Sequence, residues 1–423
     1  MGFSKTARLG IISCPGGRHF SKEIVYHLKR LYMKRFDRKA TRLSEKYGIE
    51  KEEVIHSINM NTDLRDASMR HDGPVDAYSP PEFEVPVKFT RFANGEFKTE
   101  LQSSVRGMKL YIVQDVENHY PVEMNVGEEK EPPLSVNDHI FLLLVTVDAV
   151  LQAGAKEVTV VTPTYPYSRQ HKKSGREGLT ASRLGQTLEN MGVARIITLD
   201  IHSKEIENSF NHLRLEDLHA SYQVLRELAR MIDLKQEDLV VVSPDTGAIG
   251  RNKFFASSLH RPLAVLYKER DYSKVTKDAS DTNITTTRLL GNVENKSVFM
   301  ADDMLGTGGT MIKAMKYLID RGAKKIISSV SLPFFTGNAI EKFEDAYQKG
   351  YFYRMIGTNA VYQNENLLER EWYVPSNISN LFARVILRLH HNLSLSKLLD
   401  NSAIIQHMLN EETNELFKTD SFS

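Results

Sequence analysis

The segment Val298-Phe-Met-Ala-Asp-Asp-Met-Leu-Gly-Thr-Gly-Gly-Thr310 decides the fold that the sequence predicts. Three apolar residues indicate a buried β-strand, two acids follow, and a glycine- and threonine-rich turn opens directly into a helix-like stretch. Glycines let the backbone curve tightly, so several N–H groups can point at one phosphate. A helix N-terminus favours the same anion. The segment therefore predicts a strand, a phosphate-binding loop and a helix in succession.

The acids and threonines of this segment are candidate ligand-binding residues. Thr307 and Thr310 offer hydroxyl donors to a phosphate. Asp302 and Asp303 suit two ribose hydroxyls, or a metal ion that is bridged to substrate oxygens. The alternative is that the acids only cap a turn, but the order of strand, acids, glycines and threonines favours a binding loop.

Apolar runs alternate with amphipathic stretches on both sides of this segment. The runs are Leu110–Val113, Val158–Val161, Ile196–Leu199, Leu239–Val242, Leu263–Leu266, Val298–Met300 and Ile326–Val330. The predicted helices include Asn137–Ala153, Thr180–Met191 and Thr310–Arg321. Continuous apolar runs suit strands that are buried on both faces of a parallel sheet. The alternation predicts an α/β fold, and its extent predicts two sheets.

The composition excludes several classes of protein. With 55 basic and 54 acidic residues the formal net charge is +1, so no nucleic-acid partner is expected. The single cysteine, Cys14, excludes an intramolecular disulfide. No apolar run approaches about 18 residues, so no membrane partner is expected. The N-terminus does not resemble a signal peptide, and we expect a cytoplasmic protein.

Charged and polar residues follow five of the apolar runs. They are Arg169-Gln170-His171-Lys172-Lys173, Asp200 and His202, Asp245, Lys268-Glu269-Arg270, and Asp302-Asp303. In an open parallel sheet, ligands bind beyond the carboxyl ends of the strands. These residues therefore predict a site for a multiply charged anion and its metal.

The loop segment resembles the phosphoribosyl-diphosphate loop of type I phosphoribosyltransferase folds, and the remainder resembles the ribose-phosphate diphosphokinase (PRPP synthetase) family. Family-like segments, in family order, are Arg91–Glu96, Ser104–Gly107, Tyr111–Gln114, Tyr167–Gln170, Leu199–His202, Val242–Asp245, Tyr267–Arg270 and Leu389–Ser396. The resemblance implies two similar phosphoribosyltransferase-type domains, each a mostly parallel sheet flanked by helices. They are expected at 1–220 and 221–365, followed by a helical tail at 366–423 that packs on the first domain.

The activity that the resemblance implies is transfer of the β,γ-diphosphoryl group of Mg-ATP to the anomeric hydroxyl of ribose 5-phosphate. The products are 5-phosphoribosyl diphosphate and AMP. Lys268 and Arg270 match the family's catalytic pair, at the root of a loop, 271–283, that closes over the substrates. His202 and Asp245 match its Mg²⁺-binding residues. Without the resemblance, His202 is more simply interpreted as a structural histidine.

The resemblance also implies binding residues. Phe92, Asn94 and Glu96 match residues that bind the ATP of a neighbouring subunit, and Arg169 and Gln170 match further ATP-binding residues. The residues that match the ribose 5-phosphate site are Asp302, Asp303, Thr307, Gly308, Gly309 and Thr310. Ser104, Arg106, Ser394 and Ser396 match positions around a regulatory anion site at a subunit interface. Phe92 alone would be interpreted as an ordinary core aromatic. Shared sites imply a homo-oligomer built from dimers, a hexamer being one such assembly.

The sequence departs from the family pattern at several places. Gly306 replaces an Asp, His171 replaces an acid, and Thr246-Gly247-Ala248 lacks one glycine. Extra length falls at 29–85, at 118–135 and beyond residue 400. Two alternative functions stay open: a catalytically silent subunit that associates with active synthetases, and, further from the pattern, a phosphoribosyltransferase that consumes the diphosphate. The retained Lys268 and Arg270 disfavour the former, and the ATP segment disfavours the latter.

Overall fold

The computed structural model describes residues 8–57, 82–173, 175–270 and 284–410, and in it the chain forms two compact units. Unit 1 contains the chain up to Leu218 together with Ser379–Leu398, and unit 2 contains His219–Ile378 and the residues after Leu398. Each unit has a largely parallel sheet with helices packed on it. This confirms the predicted α/β fold.

Strands and helices alternate along most of the chain. The strands are β1 (Leu9–Ser13), β2 (Val87–Arg91), β3 (Phe97–Leu101), β4 (Lys109–Val113), β5 (Val122–Glu123), β6 (Lys130–Glu131), β7 (Glu157–Val161), β8 (Arg195–Leu199), β9 (Arg214–Leu218), β10 (Leu239–Ser243), β11 (Leu263–Arg270), β12 (Ile284–Leu290), β13 (Ser297–Leu305), β14 (Lys325–Pro333), β15 (Arg354–Thr358) and β16 (Tyr373–Ser376). The helices are α1 (Arg18–Tyr47), α2 (Lys51–Ser57), α3 (Val136–Gln152), α4 (Thr180–Met191), α5 (Ser221–Met231), α6 (Ile249–Leu259), α7 (Gly309–Asp320), α8 (Ala339–Gln348), α9 (Glu365–Leu368), α10 (Ser379–His390), α11 (Ser396–Leu399) and α12 (Ser402–Asn410).

The sheet of unit 1 has five parallel strands in the order β1-β4-β7-β8-β9. Both of its faces are covered, as continuous apolar strands require. Leu110 and Ile112 of β4 belong to the buried cluster that includes Leu142 of α3. Between them, Tyr111 points to the opposite face, where its hydroxyl donates to the carbonyl of Ile386 in α10 at 3.4 Å.

Two helices from distant parts of the chain pack together in unit 1. Phe20 of α1 and Phe382 of α10 meet edge to face, with ring centroids 5.1 Å apart. The basic segment 29–51 is largely helical, since α1 runs to Tyr47 and α2 begins at Lys51. Gly48 ends α1 with a positive φ of 64°, and its N–H donates to the carbonyl of Ser44. Part of the extra length at 29–85, residues 58–81, lies outside the described residues.

The segment 118–135, where the sequence has extra length, is not simply an exposed loop. It contains the short antiparallel pair β5–β6, and Val122, Met124 and Leu134 are buried in the core of unit 1. Scattered apolar residues between acids thus fold inward while the acids stay outside. Ser135 then begins α3 through a capping box, in which its side chain accepts from Asp138 N–H and Asp138 accepts from the Ser135 backbone.

The sheet of unit 2 has seven strands in the order β12-β11-β10-β13-β14-β15-β16, and only the β11–β12 pair is antiparallel. Three strands, β11, β13 and β14, are four or more residues longer than the apolar runs that predicted them. β13 continues through Leu305 because β14 pairs with it as far as Pro333, and β11 continues to Arg270 because β12 pairs with it. The acids at Asp302 and Asp303 therefore lie inside a strand, not after it.

The core of unit 2 contains an aromatic cluster behind the helix α7. Phe343 stacks on Trp372 with ring centroids 5.7 Å apart, and Phe335 meets Phe343 edge to face. Trp372 is fully buried, and its Nε1–H donates to Glu344 Oε2 at 2.9 Å. This cluster forms a rigid surface beneath the loop that precedes α7.

The predicted tail, 366–423, is divided between the units. Residues up to Ile378 stay in unit 2, α10 belongs to unit 1, and α12 returns to unit 2. There Gln406 of α12 donates to the carbonyl of Ser258 in α6 at 3.1 Å. Among the described residues, no helix combines the length and the apolar character that spanning a membrane requires.

Candidate active site

Three carboxylates of unit 2 lie near one another at neighbouring strands. β10 and β13 are adjacent and parallel, so Asp245, which follows β10, and Asp302, near the end of β13, come to the same edge. The backbone N–H of Asp303 donates to Asp302 Oδ1 at 2.9 Å, and that of Met304 donates to Asp303 Oδ1 at 2.8 Å. Asp245 Oδ1 accepts from the N–H of Ala248 at 3.0 Å. The predicted acidic edge is thus assembled.

The neighbouring carboxylates shift the pKa of Asp302. Burial raises the pKa of the Asp302 carboxyl, and the neighbouring charges of Asp303 and Asp245 raise it further, to about 7. A hydrogen bond with the Asp303 side chain acts in the same direction. Like charges in one partly buried place favour a proton or a cation. Asp302 and Asp303 are therefore suited to accept hydrogen bonds from the hydroxyl groups of a sugar.

The glycine-rich loop is shaped by close packing. Gly308 is the N-cap of α7 with φ of 72°, and its carbonyl accepts from Ile312 N–H at 3.0 Å. A Cβ at Gly308 would lie 2.2 Å from Cε2 of Phe343, so only glycine fits. Thr307 and Thr310 are exposed on either side. The first N–H groups of a helix lack intrahelical acceptors, and phosphate binding by this loop stays a prediction.

The sequence did not predict one residue, Asn252, that holds the acidic strand ends in place. Asn252 of α6 is completely buried, and its side chain both donates to the carbonyl of Ala301 at 2.8 Å and accepts from the Ala301 N–H at 3.0 Å. Its amide also donates to the carbonyl of Ala248, in the turn after Asp245. Asn252 thus ties the turn of Asp245 to the residue that precedes Asp302. A polar residue on the inner side of a helix is the only sequence signal for it.

The predicted adenine segment forms the tip of the β2–β3 hairpin in unit 1. The N–H of Phe92 donates to the carbonyl of Glu96 at 2.8 Å, and Asn94 Oδ1 accepts from Glu96 N–H at 3.2 Å. The Phe92 side chain is 47% exposed, which excludes a place in the core. An apolar ring held at a hairpin tip is available for contact with a ligand or another chain.

The loops after β7 and β8 bring further predicted residues together in unit 1. Arg169 and Gln170 are exposed, and the N–H of Gln170 donates to the carbonyl of Tyr167 at 2.7 Å. Burial raises the pKa of Glu117, and the charge of Arg169 partly offsets this increase. The exposed His202 lies beside His171. Asp245 lies in the other unit, so the predicted metal pair is divided between the two units.

The predicted catalytic residues belong to a strand. Lys268 pairs with Thr287 across the β11–β12 ladder, and Arg270 pairs with Ile284. A register shift between Glu269 and Arg270 interrupts the ladder there. The predicted loop, 271–283, lies outside the described residues.

The predicted regulatory residues occupy two turns of unit 1. Ser104 and Arg106 lie in the exposed turn before β4. Ser394 and Ser396 lie after α10 with their hydroxyl oxygens 2.9 Å apart. Lys109 Nζ contacts Asn392 Oδ1 at 3.4 Å, which brings the second turn to the same amino-terminal end of β4. These residues are thus at the end of the sheet opposite to Arg169 and His202.

Comparison with known proteins identifies the family of this chain. Residues 83–192 match the model described as the N-terminal domain of ribose phosphate pyrophosphokinase, and residues 212–365 match the phosphoribosyl transferase domain. A ribose-phosphate pyrophosphokinase of Bacillus subtilis is 31% identical over 73% of this chain and 87% of the relative. The chain belongs to the ribose-phosphate pyrophosphokinase family. It is an enzyme, as the sequence predicted.

One further relative supports this assignment, and one solved structure shares the fold. Ribose-phosphate pyrophosphokinase A of Dictyostelium discoideum is 30% identical over 74% of this chain and 89% of the relative. The crystal structure of phosphoribosylpyrophosphate synthetase from Mycobacterium smegmatis covers 91% of this chain, with a TM-score of 0.65 and 22% identity. That likeness shows a shared fold of two α/β units.

The carboxylate donors of this chain fit the Mg²⁺ that the resemblance implies. Carboxylate oxygens are the ligands that Mg²⁺ prefers, and the mutual repulsion around Asp302 would be relieved by a cation. Within the described ranges, no group of three or more His, Cys, Asp or Glu residues converges to hold a metal ion.

Asp302→Asn is expected to remove a pH dependence of stability. The folded-state pKa of about 7 lies above the ordinary 3.8, so the folded protein retains a proton that the unfolded chain releases. The free energy of unfolding of the wild type therefore falls as pH rises through that window. In thermal unfolding with EDTA, the variant should match the wild type at or below about pH 4 and exceed its Tm by about 3 °C near pH 8.

Asp320→Asn is the control, because Asp320 is exposed at the end of α7. Its Tm should follow the wild type over the whole pH range. Equal pH profiles for Asp302→Asn and the wild type would contradict the raised pKa of Asp302.

Proposed function

We propose that this enzyme transfers the β,γ-diphosphoryl group of Mg-ATP to the anomeric hydroxyl of ribose 5-phosphate, giving 5-phosphoribosyl diphosphate and AMP. The observation that carries the proposal is the sequence of acids, glycine loop and helix start from Asp302 to Thr310. The names of the relatives agree with a pyrophosphate transfer to ribose phosphate.

Ribose 5-phosphate would bind at this loop. The N–H groups at the start of α7, with the hydroxyls of Thr307 and Thr310, would hold the 5-phosphate. Asp302 and Asp303 would accept hydrogen bonds from the ribose hydroxyls, with Gly308 and Gly309 leaving room for the close approach of the substrate. Such positioning is the main contribution of a protein to phosphoryl transfer.

The nucleotide would bind to residues of unit 1. The exposed ring of Phe92 would stack on adenine while Asn94 and Glu96 contact the edge of the base. Arg169 and Gln170 would contact the rest of the nucleotide. A hairpin tip that is exposed within its own unit supports a contact with the nucleotide of a neighbouring subunit, and hence a homo-oligomer built from dimers.

Charge would be stabilised by cations. Lys268 and Arg270 would interact with the transferred group and the leaving phosphate oxygens. His202 and Asp245 would hold Mg²⁺, which, when bound, neutralises charge on the nucleotide phosphates. The turns of Ser104, Arg106, Ser394 and Ser396 lie at the other end of the β4 strand, so a regulatory anion bound there would be separate from the nucleotide residues.

Release of AMP tests the proposal. Enzyme with ATP and Mg²⁺ should form AMP with ribose 5-phosphate and not without it. The analogue that lacks the anomeric hydroxyl should give none, because the acceptor atom is missing. A folded enzyme that forms no AMP at any phosphate concentration would favour the catalytically silent subunit.

Gly306→Asp is expected to lower the KM for ribose 5-phosphate about tenfold, because it restores the carboxylate that the family usually has at this place. A Cβ at Gly306 would lie 3.5 Å from Thr336 Oγ1, an ordinary contact, so the side chain fits. Gly306→Ala is the control, since it adds the Cβ without an acceptor and should leave KM nearly unchanged. Equal KM values for the two variants would exclude this role for the carboxylate.

A further inference from the structure

Two imidazoles lie side by side at the carboxyl end of the unit 1 sheet. His171 lies in the loop after β7, and His202 lies in the loop after β8. Their ring centroids are 5.3 Å apart, with an angle of 67° between the ring planes. His171 stands where the resemblance implies an acid, so the pair departs from that pattern.

The orientation of His171 is set by a backbone contact. Its Nδ1 lies 3.1 Å from the carbonyl oxygen of Ser168. A carbonyl can only accept, so Nδ1 carries the proton and Nε2 keeps its lone pair. Histidines that bind metals commonly donate their second N–H to a carbonyl in this way, which fixes the tautomer and the ring orientation.

The spacing of the rings fits one shared cation. Two imidazoles that each bind a tetrahedral cation at about 2.1 Å hold their ring centroids roughly 5 Å apart. Both rings have access to solvent, since His202 is exposed and His171 is partly exposed. The nearby ammonium of Lys172 is paired with Glu205 at 3.3 Å, which reduces its repulsion of a cation.

We propose that His171 and His202 form a two-imidazole site for a late first-row divalent cation such as Zn²⁺ or Co²⁺. Imidazole nitrogen suits Zn²⁺ and its neighbours in the series, whereas carboxylate oxygen suits Mg²⁺. With histidine at position 171 in place of an acid, this edge of the sheet therefore prefers Zn²⁺ or Co²⁺ to Mg²⁺. The proposal concerns the protein alone and stands whether or not the chain transfers diphosphate.

Titration of the metal-free, untagged full-length protein tests the site. Co²⁺ binding is followed by its visible absorption bands and Zn²⁺ binding by calorimetry, both without nucleotide. The wild type should bind one equivalent of each. His171→Ala should weaken both affinities at least tenfold, and His171→Asp should weaken them similarly while leaving the Tm of the apoprotein close to that of the wild type.

His212→Ala is the matched control, because His212 is an exposed histidine of the same unit. It should bind Co²⁺ and Zn²⁺ like the wild type. The proposal is overturned if His171→Ala and His212→Ala bind equally well, or if the wild type gives no Co²⁺ absorption bands at saturating metal. Displacement of Co²⁺ by an equal concentration of Mg²⁺ would also overturn it.

Discussion

Lys268→Ala is expected to lower kcat for AMP release about 10³-fold while changing the KM values for ATP and ribose 5-phosphate little. Under the proposed function, its ammonium interacts with charge that develops on the transferred group, so its loss affects the transition state more than the bound substrates. The measurement is steady-state AMP release at several concentrations of each substrate. Lys268→Arg should recover part of the rate, because it keeps the charge.

Lys349→Ala is the matched control for this variant. Lys349 is exposed after α8 and pairs with Asp345 at 2.6 Å, so its removal should leave kcat unchanged. If Lys268→Ala keeps the wild-type kcat, the predicted catalytic role of Lys268 is wrong even where the enzyme releases AMP.

Gly308→Ala is expected to destabilise unit 2 and to disrupt the phosphate loop. The positive φ of 72° is strained for alanine by about 1 kcal/mol, and the collision of its Cβ with the Phe343 ring adds about 2 kcal/mol. Phe343 cannot withdraw, since it is fully buried against Trp372 and Phe335. The Tm should therefore fall by several degrees, and the KM for ribose 5-phosphate should rise at least tenfold.

Gly350→Ala separates the two causes. Gly350 has the same φ of 72°, but a Cβ there would meet nothing within 4 Å. Its variant should lose only the backbone contribution of about 1 kcal/mol and keep the wild-type KM. Equal losses of stability in the two variants would show that the contact with Phe343 contributes nothing.

Much of the fold could be predicted because its central strands are continuous apolar runs. The runs at 158–161 and 196–199 became β7 and β8 with one added residue each. β1 was missed, since Gly10 interrupts its short apolar run. Gly10 lies so close to Met108 that a Cβ would approach its Cε to 2.6 Å, a constraint that arises only from tertiary packing. β12 was missed because its polar threonines do not form an apolar run.

The candidate site was predicted where its residues are contiguous in sequence. Asp302, Asp303 and the glycine loop follow one another along the chain, so their shared location needed no tertiary information. Asn252 contacts Ala301, which is 49 residues later in the sequence, and no local sequence pattern predicts such a contact. His171 was visible as a departure from the family, but its approach to His202 depends on two separate loops.

The return of α10 to unit 1 has a consequence for synthesis on the ribosome. The partners of Phe20 and Tyr111 in that helix, Phe382 and Ile386, are made only after the whole of His219–Ile378. At ordinary translation rates, this face of the nascent unit stays uncovered for on the order of ten seconds or more. During that interval the apolar surface of α1 is open to chaperones, so the first unit to emerge is completed only after His219–Ile378 of the second unit has been made.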